Sequence, residues 1–184
     1  RRAGARREAG MNVLVTGGAG YIGSHAVQRL LRDGHTVTSL DNLFRGHAEA
    51  MEALLPLASG RLHFVKGDVG DRPLIDSTLR QRSIEAVLHF AALAYVGESV
   101  QQPLAYYRNN TAAALTLIEA CEAAGVSKFV FSSTCATYGD PPVVPIPETT
   151  VQRPINPYGM SKLHVEHMLL DFANQQAAAG KPFA

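Results

Sequence analysis

From Met11 onward, short β-branched runs alternate with longer stretches of helix-forming residues, the pattern of a parallel sheet flanked by helices. Residues 11–16 (MNVLVT) predict a first strand, followed by a glycine-rich turn and a helix from about Tyr21 to Arg32 that Gly34 ends. Residues 35–40 (HTVTSL) predict the second strand, closing on Asp41. A helix over 48–57, a strand at 62–66, a helix over 73–82 and a strand at 86–90 follow. A long helix from about Leu104 to Ala124 stops at Gly125, and residues 128–133 (KFVFSS) predict the fifth strand. Residues 141–157 are polar and broken by Pro, hence loop; the last helix runs from Tyr158 to about Ala179. Residues 181–184 read as the approach to one more strand. Right-handed crossovers then give an α/β fold, a doubly wound parallel sheet with helices on both faces and its ligand crevice at the carboxyl ends of the strands.

Composition narrows the class. The 184 residues are 46% hydrophobic and 18% charged, which places the chain outside the polar, highly charged region of disorder. The sequence has no run of 18 apolar residues that would span a bilayer, so no membrane partner is expected. Two cysteines, Cys121 and Cys135, are too few for a disulfide framework and suit a reducing, cytoplasmic compartment. Residues 1–10 hold Arg1, Arg2, Arg6 and Arg7 against Glu8, a local +3 that leaves −2 on residues 11–184 of a chain whose formal charge is +1. The first ten residues are read as a disordered basic extension, and residues 11–184 as one domain. Without a basic stripe in that body, no nucleic-acid partner is expected.

The chemistry sits at the strand ends. Gly17, Gly20 and Gly23 leave a strand and open a helix, where main-chain amides and the positive helix end can hold a pyrophosphate. Asp41, 18 residues after Gly23 at the end of the second strand, can accept hydrogen bonds from an adenine-ribose diol and would repel a 2′-phosphate, which favours NAD over NADP. Arg45, four residues on, could neutralise such a phosphate. Asp68, after the third strand, is placed to meet the adenine amine or to serve as a turn or cap residue. Tyr158 and Lys162 lie at i and i+4 on one helix face. A neighbouring ammonium favours phenolate, which makes Tyr158 a candidate general base for a hydroxyl proton, with Lys162 tuning it. At the end of the fifth strand, the Thr134 hydroxyl can bond the reacting oxygen, with Ser133 second, because alternation sends neighbouring side chains to opposite faces.

Together these residues resemble the extended short-chain dehydrogenase/reductase, or NAD-dependent epimerase/dehydratase, family in its nucleotide-sugar 4-epimerase branch. The resemblance covers residues 11–184. It rests on 15–25 (VTGGAGYIGSH), Asp41-Asn42-Leu43, Gly67-Asp68-Val69, 89–92 (HFAA), 96–100 (VGESV), 106–110 (YYRNN), 131–134 with Tyr138-Gly139-Asp140, and 157–162 (PYGMSK). It implies a Rossmann-like sheet and an NAD held by Tyr21, Ile22, Asp41, Asn42, Asp68, Val69, Phe90, Ala91, Ala92, Leu93 and Asn109. It implies catalytic and cofactor contacts for Thr134, Tyr158 and Lys162, with Thr134 and Tyr158 also touching the substrate. The implied reaction interconverts UDP-glucose and UDP-galactose: C4 is oxidised by hydride transfer to NAD, and hydride returns to the opposite face of the 4-keto sugar. A homodimer through the helices beginning near Leu104 and Tyr158 is implied as well. The 4,6-dehydratase branch follows its Thr with Asp and Glu, whereas Cys135 and Ala136 stand here, so epimerisation is favoured.

Ala94 replaces a Lys that many epimerases carry, and Tyr95 is similar to a branch that includes UDP-arabinose 4-epimerases, which keeps UDP-arabinose/UDP-xylose interconversion as the alternative. Full-length relatives continue into further strands and a carboxyl-terminal substrate domain. A dinucleotide-binding module without turnover is therefore the reading from a different class. Other candidates read blandly: His164, Glu166 and His167 as a solvated helix face with no metal, His89 as a core histidine, Cys135 as a thiol with no base, and Asn109 and Asn110 as early helix polar residues, of which the resemblance raises Asn109 alone.

Overall fold

The computed structural model describes residues 10–184, so the extension expected at residues 1–10 lies, but for Gly10, outside the described residues. Five parallel strands stand in the order β3-β2-β1-β4-β5: β1 (Asn12–Thr16), β2 (Thr36–Asp41), β3 (Leu62–Lys66), β4 (Ala86–His89) and β5 (Lys128–Phe131). The register places Val15 beside Ser39 and Leu88, which aligns the carboxyl ends of β1, β2 and β4 along one rim.

Alternation along the strands feeds two cores. Val13, Val15, Val37, Leu62 and Ala86 pack on one face against Val27 and Leu31 of α1 (Tyr21–Asp33), with Met51 and Leu54 beside them. Leu14, Leu40, Val87 and Phe129 point to the other face, onto Ile75 and Leu79 of α4 (Arg72–Gln81) and Leu117, Ile118 and Cys121 of α7 (Ala113–Ala124). Met168, Leu169 and Phe172 of α8 (Pro157–Ala178) close that second layer. Each large aliphatic residue fully buried in these layers contributes about 1.5–3 kcal/mol. The crossover helices end as their sequences dictate: α1 stops where Gly34 takes φ +97 and returns its amide to the last turn, and α4 starts where Asp71 caps the Leu74 amide.

Several elements depart from the expected ones. The helix foreseen over 48–57 is two short pieces, α2 (Ala48–Glu52) and α3 (Leu55–Ala58), because Pro56 lacks the amide that would continue the first into the second. A helix that the pattern does not announce, α5 (Val96–Gln101), precedes α6 (Pro103–Tyr106). The long helix is continuous from α6 to α7 but widens into a π segment over Tyr107–Ala112, a form that recurs at functional sites. A 3-10 turn, Cys135–Tyr138, lies between β5 and the Pro-broken loop. The expected approach to a further strand is present: the Ala184 amide donates to Ser127 and its carbonyl accepts from Phe129, a parallel pairing with the outer edge of β5.

Candidate active site

At the rim of the sheet lies a crevice of about 390 Å³. Gly17, Gly20, Tyr21, Ile22 and Gly23 form its floor, Asp41, Asn42, Asp68 and Val69 one wall, and Phe90, Ala91, Ala92, Leu93 and Asn109 the other. All fourteen residues expected at a cofactor from the turn, the strand ends and the resemblance, apart from the catalytic three, thus share one cavity. The turn is glycine for reasons of space. Gly17 has φ +70 and a Cβ there would sit 2.6 Å from the Ala91 amide nitrogen, while a Cβ on Gly23 would overlap the Gly17 carbonyl. No side chain caps α1 and no acidic residue stands in its first turn, so the first amides of a 13-residue helix, those of Tyr21, Ile22 and Gly23, have no intrahelical partner. Tyr21 and Ile22, 84% and 60% exposed, lie open beside them. A free helix start, with room for main chain to approach a ligand, fits an anionic dinucleotide.

The carboxylates of the wall are held in place. Asp41, buried, accepts from the Ala19 amide at 3.1 Å and the Leu43 amide at 2.8 Å, which locks it to the glycine turn. Asp68 accepts from Asn42 Nδ2 and from the Gly70 amide, both at 2.8 Å. Each oxygen so bonded keeps a lone pair for a ligand donor.

Thr134, Tyr158 and Lys162 stand beside the crevice rather than in its lining. Asn156 caps α8 by accepting from the Gly159 amide at 2.8 Å, with Pro157 in the first turn. Gly159 lets α8 press on the 3-10 turn, because a Cβ there would meet the Ala136 carbonyl. One turn on, buried Lys162 donates to the Ser132 carbonyl at 2.7 Å and lies 4.6 Å from the Phe131 ring centroid. Ser132 lines the crevice, so it joins the ammonium to the cavity. Burial pulls the Lys162 pKa down to about 8, opposed by the Glu166 carboxylate, and leaves it mostly charged at neutral pH. Tyr158 packs edge-on to Tyr106, centroids 6.3 Å apart, and its hydroxyl forms no hydrogen bond among the described residues. The Thr134 hydroxyl accepts from the Ala136 amide at 3.1 Å and caps the 3-10 turn, whereas Ser133 is turned to Glu166. The two hydroxyls thus have different partners, and both lie beyond the end of β5.

Other groups that organise the site were not singled out by type or spacing. Asn110, in the π segment, brackets Leu93: it accepts from the Leu93 amide at 2.8 Å, donates to the Leu93 carbonyl at 2.9 Å and reaches Ser161 of α8 at 3.0 Å. It thus fixes the loop after β4 to the helix that carries Tyr158. The only signal was its place in YYRNN. The HVEH face is only partly solvated: Glu166 binds Ser133 and accepts from Gln152 at 2.7 Å, and His164 stacks on Tyr107 at 5.7 Å, both half-buried, while His167 is exposed. His89 is the core histidine expected, bonded to Thr16 Oγ1 at 2.6 Å, its pKa pushed down to about 3 by burial and then by Lys162. Cys135 is exposed, and burial pushes the Cys121 thiol up to about 12. Among the described residues no group of His, Cys, Asp and Glu could hold a metal, and no helix is long and apolar enough to cross a membrane.

Comparison with known proteins identifies the family. The profile of the NAD dependent epimerase/dehydratase family matches residues 13–183. A probable UDP-arabinose 4-epimerase 3 of Oryza sativa subsp. japonica is 51% identical over 171 residues, covering 91% of this chain and 42% of the relative. A UDP-glucose 4-epimerase of Azospirillum brasilense is 52% identical over 159 residues, covering 86% and 44%. Among solved structures, a UDP-glucose-4-epimerase from Stenotrophomonas maltophila with bound NAD and formylated UDP-arabinopyranose superposes with TM-score 0.87 at 42% identity, covering 94% of this chain and 50% of that one. The chain spans less than half the length of these two curated relatives.

Proposed function

This chain belongs to the NAD-dependent epimerase/dehydratase family, and from that premise we propose that it is the cofactor-binding and catalytic part of a UDP-sugar 4-epimerase. The observation that carries the reading is the meeting of two features at one sheet rim: the uncapped glycine turn of α1, and the Tyr158/Lys162 face of α8 tied to the crevice through Ser132. NAD, when bound, supplies the reversible hydride acceptor that oxidation at C4 requires. The α1 amides would hold its pyrophosphate, Asp41 its adenine ribose and Asp68 with Asn42 its adenine, while Asn109 and the loop of residues 90–93 line the opposite wall. Tyr158 takes the proton of the C4 hydroxyl as a phenolate and later returns it. Lys162, charged and fixed by the Ser132 carbonyl, holds its ammonium beneath α8 one helical turn from Tyr158. Thr134 orients the C4 oxygen.

Relatives named for arabinose and for glucose match almost equally, so two sugar pairs enter the test: UDP-glucose/UDP-galactose first, UDP-arabinose/UDP-xylose as the alternative. Exposed Leu104, Leu115 and Leu170 on α6, α7 and α8 support a second copy of the chain as partner, which sedimentation would detect. The purified chain is titrated with NAD by calorimetry and then given UDP-galactose or UDP-arabinose, with the C4 epimer read by coupled assay or chromatography. Saturable NAD binding, weakened about tenfold by Asp41→Ala, and formation of one epimer support the reading. Where epimer forms, Tyr158→Phe should keep NAD affinity and cut turnover by about 10²–10⁴, the usual worth of a general base. An accumulating 4-keto sugar would instead indicate dehydratase chemistry. NAD binding without either epimer would favour the dinucleotide-binding module that needs the remaining length of its relatives.

A further inference from the structure

Arg45 is the only basic side chain lining the crevice among the described residues, in the loop that follows β2, four residues beyond Asp41. Its Nη2 donates to both carboxylate oxygens of Glu98, at 2.7 and 2.9 Å. The guanidinium also lies 4.3 Å from the Tyr95 ring centroid and 5.4 Å from that of Phe44. Glu98 comes from α5, after β4, so the contact spans from one wall of the crevice to the other. Its carboxylate is anchored in turn: the hydroxyl of fully buried Tyr106 lies 2.8 Å from Glu98 Oε2 and 2.7 Å from the Tyr95 carbonyl, and accepts from the Tyr95 amide at 2.9 Å.

A 2′-phosphorylated dinucleotide would bring a further negative charge to a wall that already carries Asp41 and Asp68. A guanidinium is the group best shaped to receive such a phosphate, and the one available here is neutralised and geometrically committed. The geometry points to Glu98 as a specificity-determining residue that keeps the crevice selective for NAD by withholding Arg45 from a 2′-phosphate. It acts through Arg45 and rests on the reading of the crevice as a dinucleotide site.

The affinities of NAD and NADP are measured by competition calorimetry on the wild-type chain, Glu98→Gln, Arg45→Ala and the double variant. In Glu98→Gln the preference for NAD over NADP should fall about tenfold, the worth of one charge-assisted contact. That gain for NADP should vanish in the double variant, and Arg45→Ala alone should leave the preference at its wild-type value. An unchanged ratio in Glu98→Gln, or a gain that survives in the double variant, overturns the role of Glu98. A loosened Tyr95 loop would weaken both dinucleotides together and leave the ratio where it was, so the ratio separates selection from mere packing. Should Glu98→Gln fail to fold, Arg45→Ala decides alone: a loss of NADP affinity there would mean that Arg45 already reaches the phosphate, contrary to the proposal. A wild-type chain that binds neither dinucleotide overturns the site reading itself, whereas NAD binding with an unmoved ratio overturns only the inference about Glu98.

Discussion

On the β1–β3 side of the crevice the working groups are main-chain amides laid bare by Gly17, Gly20 and Gly23, with two carboxylates held by short local hydrogen bonds. On the β4–β5 side they are side chains under α8: a buried ammonium, an asparagine bracket and a neutral histidine. The first side works because atoms are missing, so added volume harms folding and binding together. The second holds a charge that burial disfavours, so there folding is opposed to the catalytic role proposed for Lys162.

The sharpest way to break the contrast is to add one methyl group to the turn. Gly23→Ala forces a Cβ onto the Gly17 carbonyl, which is main chain and cannot swing away, so stability measured by urea should fall by about 4 kcal/mol and NAD binding should be lost. Next, Asn110→Ala leaves both the amide and the carbonyl of Leu93 unpaired, at a cost of about 3 kcal/mol, with NAD affinity falling as the 90–93 loop loosens. In the other half a substitution should stabilise. Lys162→Met removes a charge whose pKa sits near 8 rather than 10.5, a penalty of about 3 kcal/mol, against about 1 for the lost bond to Ser132. A gain of about 2 kcal/mol at pH 7 with loss of catalytic competence is expected, and a destabilised variant would refute the opposition.

The sign shows in the pH dependence as well. Between pH 8 and 10.5 the unfolded lysine holds its proton while the folded one releases it, so wild-type stability should rise with pH across that window. In Lys162→Met that part of the rise should be missing. The smallest expected effect is the control for the turn: Gly34→Ala also meets a left-handed backbone, but no atom lies within 4 Å of its Cβ, so only about 1 kcal/mol should be lost and NAD affinity should be kept.

What could be read beforehand follows the same division. The glycine turn, the position of Asp41 and the four-residue step from Tyr158 to Lys162 are local facts of spacing, and the structure puts the first two in the crevice and the third on one face of α8. Asn110 read only as an early helix polar residue and Glu98 did not stand out, because their importance comes from Leu93, Ser161, Arg45 and Tyr106, residues 8 to 53 positions away. The HVEH run misled in part for a related reason: polarity suggested solvent, but the loop that brings Gln152 and the strand end that brings Ser133 engage half-buried Glu166, while His167 stays exposed.

By itself the sequence determined the alternation of strands and helices, the parallel order of construction and the rim where ligands gather, because hydrophobic period and glycine placement act over a few residues. Only the tertiary structure decided which charges are free. Arg45 and Lys162 look alike as isolated cations, yet one is neutralised by Glu98 across the crevice and the other is stripped of water beneath α8. Charge and solvation depend on what the fold brings within a few ångströms, and separation along the chain does not encode that.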